Sequence, residues 1–431
     1  MAKNVFVVAM DDFNLQTMKG LREARRYDFH SLIPTGDVLK AEEYDFDALL
    51  ATGEAELRAF DGPVDGIVTW WDFPSSALVP ILAERWDIPG PELRSILMLE
   101  HKYWSRICQR AVAADHVPAF AAFDPFADTA LEQILERGVD FPFWIKPVKS
   151  VGSYLGFHIG GPDDWDPAIT AMREEVNHFG GPFAQALSRV EMPHDVEAIG
   201  GVACLAEAII SGFQCTVEGY AAQGDVHVYG LVDSLREPGS STFRSYQYPS
   251  QLPTPIQRRM EQISVDIIEY TGLDFSCFNI EFFYDEDQGH IWILEVNTRL
   301  SQSHCDLFAK VDGASSQRAM LGVSQGRKPR MLDHAGDFAV AGKYFLRAFE
   351  DGVVQAVPSE DDIAAVIERF PGTRVEIDPK PGTRLSEMAV QETYSYELGR
   401  VFIGGDDHDQ LEERFSQIAE MLPFTIEVIA G

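Results

Sequence analysis

The segment Phe278 to Arg299, FNIEFFYDEDQGHIWILEVNTR, holds two alternating apolar and polar runs around the turn residues DEDQGH, the pattern of a β-hairpin. A one-residue offset between the strands sets Glu281 opposite Glu295 and Asn279 opposite Asn297, so that the two carboxylates share one face. Side chains directly opposed in an antiparallel pair lie about 4.5–5.5 Å apart. At an effective dielectric near 20, two carboxylates at that distance repel by roughly 3–4 kcal/mol. A chain folded this way must put positive charge between them. A hard divalent cation meets the need, because Mg²⁺ takes oxygen ligands and commonly uses one or two carboxylates together with substrate phosphates. Asn297, two positions beyond Glu295, faces the same way and could add a third oxygen; Arg299 would follow into the same cleft if the strand continued. The other reading is an exposed face with two unrelated glutamates, and the apolar flanks Ile280, Phe282, Leu294 and Val296 fit both.

Charge narrows the partners. The chain has 68 Asp and Glu against 35 Lys and Arg, a formal charge of -33. A field of that sign repels nucleic acid and anionic membranes, so neither is an expected partner. A phosphate-bearing ligand must meet a local cluster of cations, backbone N–H groups or a metal ion. The five cysteines, Cys108, Cys204, Cys215, Cys277 and Cys305, are scattered and read as reduced core residues of a cytoplasmic protein. The opening MAKNVFVVAMDD is too short in apolar run for a signal peptide, and no run approaches the roughly 18 apolar residues of a membrane span.

The 431 residues provide for about three domains. In the first 95, short apolar runs alternate with helical patterns: Val5 to Met10, Leu15 to Arg26, Phe46 to Phe60, Gly66 to Trp71 and Ser75 to Trp86. This predicts βαβ units and a parallel sheet, with Asp11-Asp12-Phe13-Asn14 after the first strand, where open α/β sheets usually place ligands. A helix is expected over Pro91 to Ala114, then strands at Phe141 to Pro147 and Tyr154 to Ile159 around a polar loop. Further strands are expected at Val202 to Ile210, Gln214 to Ala221 and Val226 to Ser234, and a helix from Pro255 to Thr271. The last hundred residues mix strands, such as Ala339 to Arg347, with helices at Glu360 to Arg369 and His408 to Leu422.

Lys146 ends an apolar strand, either as an edge residue reaching solvent or as a cation aimed at a ligand. The loop after it, with Lys149, Ser150, Gly152 and Ser153, offers backbone N–H groups able to cover phosphates, though a plain turn has the same composition. Lys102 reads by itself as a solvated helix lysine.

Taken in order, these pieces resemble the ATP-grasp superfamily of ligases over roughly Pro91 to Arg330, with a Rossmann-like preATP-grasp domain before them. FNIEFF and ILEVNTR match the metal-binding Glu and Glu-x-Asn positions, here Glu281, Glu295 and Asn297; Lys146 and Lys102 match the two phosphate-binding lysines. LAEAIISGFQCTVEGY resembles the segment whose backbone holds adenine, which maps onto Glu207, Ile209 and Ile210, while Gln214 stands where an acidic ribose-binding residue is common. Glu218 is a further polar candidate or an outward-facing strand residue. The resemblance implies an α/β and α+β architecture. Its parts are residues 1–95, an ATP-grasp domain over 96–330 with a smaller lid-like part at about 115–210, and an α+β C-terminal subdomain over 331–431.

The resemblance further implies ATP and Mg²⁺, or Mn²⁺, as cofactors. The reaction it implies joins a small-molecule carboxylate to an amine through an acyl phosphate, with Arg299 stabilising developing charge. Substrate candidates are Arg236 and Arg244, on an expected loop from Asp233 to Arg244, and Ser301, Ser303 and His304; surface arginines and helix-capping serines are the alternatives. A homodimer is compatible with the C-terminal subdomain. Competing readings are a biotin-carboxylase-like enzyme using bicarbonate, though this chain shows no biotin-attachment segment, and a nucleotide-binding sensor without turnover.

Overall fold

The computed structural model describes residues 2–39, 44–152, 154–240, 242–388 and 395–429. Lys3–Val8 pairs in parallel with Tyr27–Leu32 on one side and Gly66–Val68 on the other. Val5, Val7 and Val8 have no exposed surface because both faces of this small sheet are covered. Phe6 and Val8 pack with Leu50, Leu78 and Leu82 from helices Phe46–Ala59 and Ser75–Arg85. Val5 and Val7 pack with Met18, Met320 and Leu321. The last two belong to helix Gln317–Val323, which ties the N-terminal sheet to the rest of the molecule. The strand Tyr27–Leu32 was not foreseen. Its sequence YDFHSL breaks the apolar run with Asp28, His30 and Ser31, which an edge strand tolerates.

The central sheet has eight antiparallel strands in the order His290–Asn297, Ser276–Asp285, Phe213–Ala222, Asp225–Arg236, Phe243–Tyr248, Val340–Ala348, Tyr396–Gly405 and Arg374–Ile377. It runs across residue 330, so the strands of the last hundred residues continue the sheet that carries the hairpin. Helix Thr254–Thr271 lays Met260, Ile263, Ile267 and Ile268 on one face of this sheet, against Val217, Ile280, Phe282, Ile291, Ile293 and Val296. Side chains alternate along a strand, so burying Ile280 and Phe282 turns Asn279 and Glu281 to the opposite face.

Glu281 lies opposite Glu295 and Asn279 opposite Asn297. The offset that produces this pairing arises at a β-bulge beside Leu294 instead of at the turn, since Phe282 pairs with Ile293 and Tyr284 with Ile291. Hydrophobic burial explains the placement. Ile291, Ile293 and Val296 all enter the core, and without the extra residue Glu295 would share their face.

A four-stranded antiparallel sheet, in the order Phe120–Phe123, Cys204–Ala208, Phe143–Pro147 and Phe157–Ile159, forms a separate layer. Helices Ala130–Glu136 and Trp165–Glu175 bury Ala130, Ile134, Ile169 and Met172 against it. Among the described residues, no helix is long and apolar enough to cross a membrane, and all five cysteines are buried and unpaired.

The single helix expected over Pro91 to Ala114 is two helices, Leu93–Glu100 and Lys102–Ala113. The break is at His101, whose extended backbone caps the second helix through Nδ1, accepting from the Trp104 N–H at 3.3 Å. The Lys102 N–H, freed from the helical ladder, donates to the Val148 carbonyl at 2.9 Å. A lysine that reads as solvated on a continuous helix is thereby turned inward at the start of a new one.

The hairpin is seated on its neighbour by a close approach. Gly219 pairs with Phe278, and a Cβ on Gly219 would stand 2.2 Å from the Phe278 ring, which is wholly buried. Gly219→Ala is expected to lower stability by about 1–3 kcal/mol through overpacking, read as a lower urea midpoint; an unchanged midpoint would contradict this packing.

Candidate active site

The face of the hairpin turned away from helix Thr254–Thr271 carries Asn279, Glu281, Glu295 and Asn297. Lys102 Nζ stands 3.1 Å from Glu295 Oε1 and donates to the Ser150 carbonyl at 3.0 Å. The two glutamates are electrostatically unequal. Desolvation in the cleft and the charge of Glu295 push the Glu281 carboxyl up to about 7, with Arg299 and a hydrogen bond from Gln214 Nε2 at 3.1 Å offsetting this only in part. Desolvation acts on Glu295 too, but Lys102, followed by Lys146, outweighs it and holds that carboxyl below its ordinary range. One carboxylate therefore has a cation in contact and its partner does not. Asn297 donates Nδ2 to Asn279 Oδ1 at 2.9 Å, and Asn279 donates to the Arg299 carbonyl at 3.0 Å; Asn297 is left with its acceptor oxygen to offer. Three oxygen donors around an uncompensated carboxylate fit a hard divalent cation.

The second wall is the four-stranded sheet. Lys146 Nζ lies 2.5 Å from Glu207 Oε2, and Glu207 is also ion-paired with Arg106 Nε. Burial would raise the Glu207 carboxyl, yet Arg106 and then Lys146 bring it down to about 2. Arg106 does more than pair. Its Nη1 donates to the Ile293 carbonyl at 2.9 Å and its Nη2 to the Leu294 carbonyl at 2.8 Å, the two carbonyls beside the bulge. One buried guanidinium thus binds the irregularity that orients Glu295 to the strand that presents Lys146. The sequence reading missed Arg106, although its place four residues after Lys102 on the same helix is the signal that could have found it. Lys149, read only as part of a loop, is buried and ion-paired with Glu100 at 2.7 Å, while the Thr298 hydroxyl donates to Glu100 at 3.0 Å.

Arg299 reaches the cleft by an unforeseen partner. Its Nε and Nη2 donate to the two oxygens of Asp72 at 3.0 and 2.7 Å. Burial opposes ionisation of both groups, but each holds the other charged, raising the arginine pKa and lowering that of the aspartate. Asp72 follows the strand Gly66–Val68, so the carboxyl end of the N-terminal sheet does contribute to the site, through a different strand from the one expected. The segment Asp11 to Asn14 is structural: Asp11 caps helix Asp12–Lys19 and accepts from Trp70 Nε1 at 2.7 Å.

The remaining candidates divide. The Ser150 carbonyl is the Lys102 acceptor, Gly152 takes a left-handed φ of 58° in the same loop, and Ser153 lies outside the described residues. Ile209 and Ile210 sit in the connection between the two sheets, Ile209 being 43% exposed, and their backbone groups form no hydrogen bond among the described residues. Gln214 accepts from Arg236 Nη2 at 2.6 Å while donating to Glu281, so it links an arginine to the carboxylate pair.

Arg236 and Arg244 are not on a loop spanning Asp233 to Arg244: the strands Asp225–Arg236 and Phe243–Tyr248 extend to them. Arg244 is drawn to Glu412 on helix His408–Met421. His304 Nδ1 and the Ser301 N–H both meet Glu218, at 2.8 and 3.2 Å, with the Tyr229 hydroxyl at 3.1 Å. Glu218 therefore faces inward and organises the segment after the hairpin. The Ser303 hydroxyl accepts from Lys343 Nζ at 2.9 Å.

Two sheets joined across three lysines and an opposed carboxylate pair define a cleft suited to polyphosphate and metal. Residues 139–306 match the family model of the ATP-grasp domain. In fold, the chain is similar to an L-amino acid ligase from Bacillus licheniformis, with a TM-score of 0.74, 16% identity and 98% of each chain covered. It is also similar to biotin carboxylase from Campylobacter jejuni, with a TM-score of 0.66, 14% identity, and 98% of this chain and 92% of that one covered. In sequence, it is 23% identical over 190 residues to the carbamoyl phosphate synthase large chain, C-terminal section, of Methanopyrus kandleri, a match covering 43% of this chain and 33% of that relative. The chain spans about a third of that relative's length. Residues 139–306 of this chain therefore carry the ATP-grasp match, and the likeness in fold extends over the rest of the chain.

The helix break that delivers Lys102 has a pH signature. His101 Nε2 lies 3.1 Å from the Gly200 carbonyl while Nδ1 accepts from Trp104, which requires a neutral ring. Burial pulls its pKa down to about 4 from the ordinary 6.5. Above pH 6.5 neither state is protonated; as pH falls towards 4 the unfolded chain takes up a proton that the native state refuses, and stability declines. His101→Asn keeps a capping oxygen without the titration. Between pH 7 and 4.5 the native chain is expected to lose about 2 kcal/mol more than this variant in urea denaturation; equal losses would place His101 outside the account.

Proposed function

We propose that the chain is an ATP-dependent ligase that joins a small-molecule carboxylate to an amine through an acyl phosphate, releasing ADP and phosphate. The observation that carries this reading is the opposed pair Glu281 and Glu295, with Lys102 Nζ 3.1 Å from one of them. In this reading residues 96–330 form the nucleotide-gripping domain, with the four-stranded sheet as its lid. Residues 1–95 supply Asp72, and residues 331–431 complete the central sheet.

Glu281, Glu295 and Asn297 would hold Mg²⁺, or Mn²⁺, which when bound would offset charge on the transferred phosphoryl group. Lys102 and Lys146 position the phosphates, and the backbone groups of Ser150 and Gly152 cover them. The unpaired backbone of Ile209 and Ile210, beside Glu207, receives the adenine, and Gln214 would meet the ribose. An oxygen of the substrate carboxylate attacks the γ-phosphorus, and the bond to the β-bridging oxygen breaks to release ADP. The amine nitrogen then attacks the acyl carbon, phosphate departs, and the nitrogen gives up a proton. Arg299, held by Asp72, faces the acyl phosphate and the oxyanion of the second step. Ser301, Ser303, His304 and Arg236 border the space left for substrate. Arg244, committed to Glu412, acts from the edge.

The test is phosphate release from ATP and Mg²⁺ with a panel of carboxylate and amine pairs. Glu295→Gln is expected to lower turnover about 100-fold or more with an unaltered circular dichroism spectrum, and full activity would remove the site assignment. Asp72→Asn, which leaves Arg299 in place but weakens its anchor, is expected to lower kcat about tenfold with little change in KM for ATP. A rise in KM alone would make Asp72 a nucleotide-binding residue instead.

A further inference from the structure

Far from the carboxylate pair in sequence, a second cavity of about 270 Å³ opens between the N-terminal sheet and the segment that follows helix Gln317–Val323. One wall is the short 3-10 helix Arg22–Arg26, which contributes Arg22, Arg25 and Arg26. The other contributes Arg318, Arg327 and Arg330, with Lys328 beside them. Seven of the chain's 35 cationic residues line this one cavity, against a single carboxylate, Glu23. In a chain of net charge -33 that concentration inverts the surrounding field.

The walls are built. Gly326, at a left-handed φ of 65°, reverses the chain just after the helix. The reversed segment is tied down where Tyr220 donates its hydroxyl to the Pro329 carbonyl at 2.7 Å and Gln223 donates to the Gly326 carbonyl at 2.9 Å. Arg327 Nη2 donates to the Tyr27 hydroxyl at 2.7 Å, across the gap between the walls. Glu23 is consumed by Arg318 at 3.0 Å and Lys328 by Asp225. Arg22, Arg25, Arg26 and Arg330 form no ion pair among the described residues. Arg22, Arg25, Arg26 and Arg330 are exposed, so their guanidinium groups stay open to an anion from solution. Guanidinium groups match the oxygens of phosphate in a bidentate manner. The volume lies just below the roughly 300–1,000 Å³ of sites for drug-sized ligands, which selects a compact polyanion over a stretch of polymer.

We propose that this cavity binds a compact phosphorylated small molecule, carrying a di- or triphosphate group, at a site separate from the carboxylate cleft. The ligand bridges the N-terminal sheet and the strand Phe213–Ala222, on which Tyr220 lies two residues beyond Glu218. The site therefore stands in physical continuity with the segment after the hairpin.

Isothermal titration of the full chain with inorganic pyrophosphate, at low salt and without divalent metal, tests this. The native chain and Lys146→Ala are expected to share one binding event that weakens about tenfold or more in Arg26→Glu/Arg330→Glu. Arg25→Gln is the milder variant should the double reversal fail to fold, with circular dichroism as the control. ADP that binds with the same affinity as pyrophosphate at this site shows that the diphosphate alone is read; tighter binding shows that a nucleoside is held as well. Unchanged pyrophosphate affinity in the reversal variants would overturn the proposal. Citrate binding more tightly than pyrophosphate would do the same, as would a chain that ignores pyrophosphate but loses self-association in sedimentation when these arginines are reversed.

Discussion

Two carboxylates forced together on adjoining strands are the constraint around which this molecule is arranged. The repulsion between Glu281 and Glu295 is admitted because the opposite face of the same strands must bury Ile280, Phe282, Ile291, Ile293 and Val296. The bulge beside Leu294 reconciles the two demands. It leaves the Ile293 and Leu294 carbonyls needing donors, and Arg106 supplies both while also pairing with Glu207. Hydrophobic burial, a backbone irregularity and one buried guanidinium thus tie the strand of Glu295 to the strand of Lys146.

The buried charges around this pair form a graded set. Glu207 is held strongly ionised by Arg106 and Lys146, Glu295 is held ionised by Lys102, and Glu281 is left with a pKa near 7. The two opposed carboxylates are thus unequal because a cation touches one and not the other. The Arg299–Asp72 pair brings the N-terminal sheet into the same network, so the orientation of the terminal arginine depends on a docking between parts far apart in the chain.

A surface of net charge -33 gives the local reversals of sign their meaning. Lys102, Lys146, Lys149, Arg106 and Arg299 gather at the cleft, and a second group of arginines gathers at the cavity beside Tyr27. Both reverse the sign of the local field in a molecule whose overall field is negative.

Periodicity and the motif order made the hairpin, the helices Phe46–Ala59, Thr254–Thr271 and Glu360–Arg369, and the shared face of Glu281 and Glu295 legible before any coordinates, because these follow from local alternation and from which residues must be buried. Helix interruption at His101, the strand Tyr27–Leu32, the strand positions of Arg236 and Arg244, and the roles of Arg106 and Asp72 were not legible. The His101 break depends on the Gly200 carbonyl, which meets its imidazole from 99 residues away. Asp72 meets Arg299 across 227 residues. Local sequence determines which face of a strand or helix is apolar, since that is a matter of spacing along one element. Which charge answers which is a matter of distances of about 3 Å between elements remote in the chain, and only the packed tertiary structure sets those.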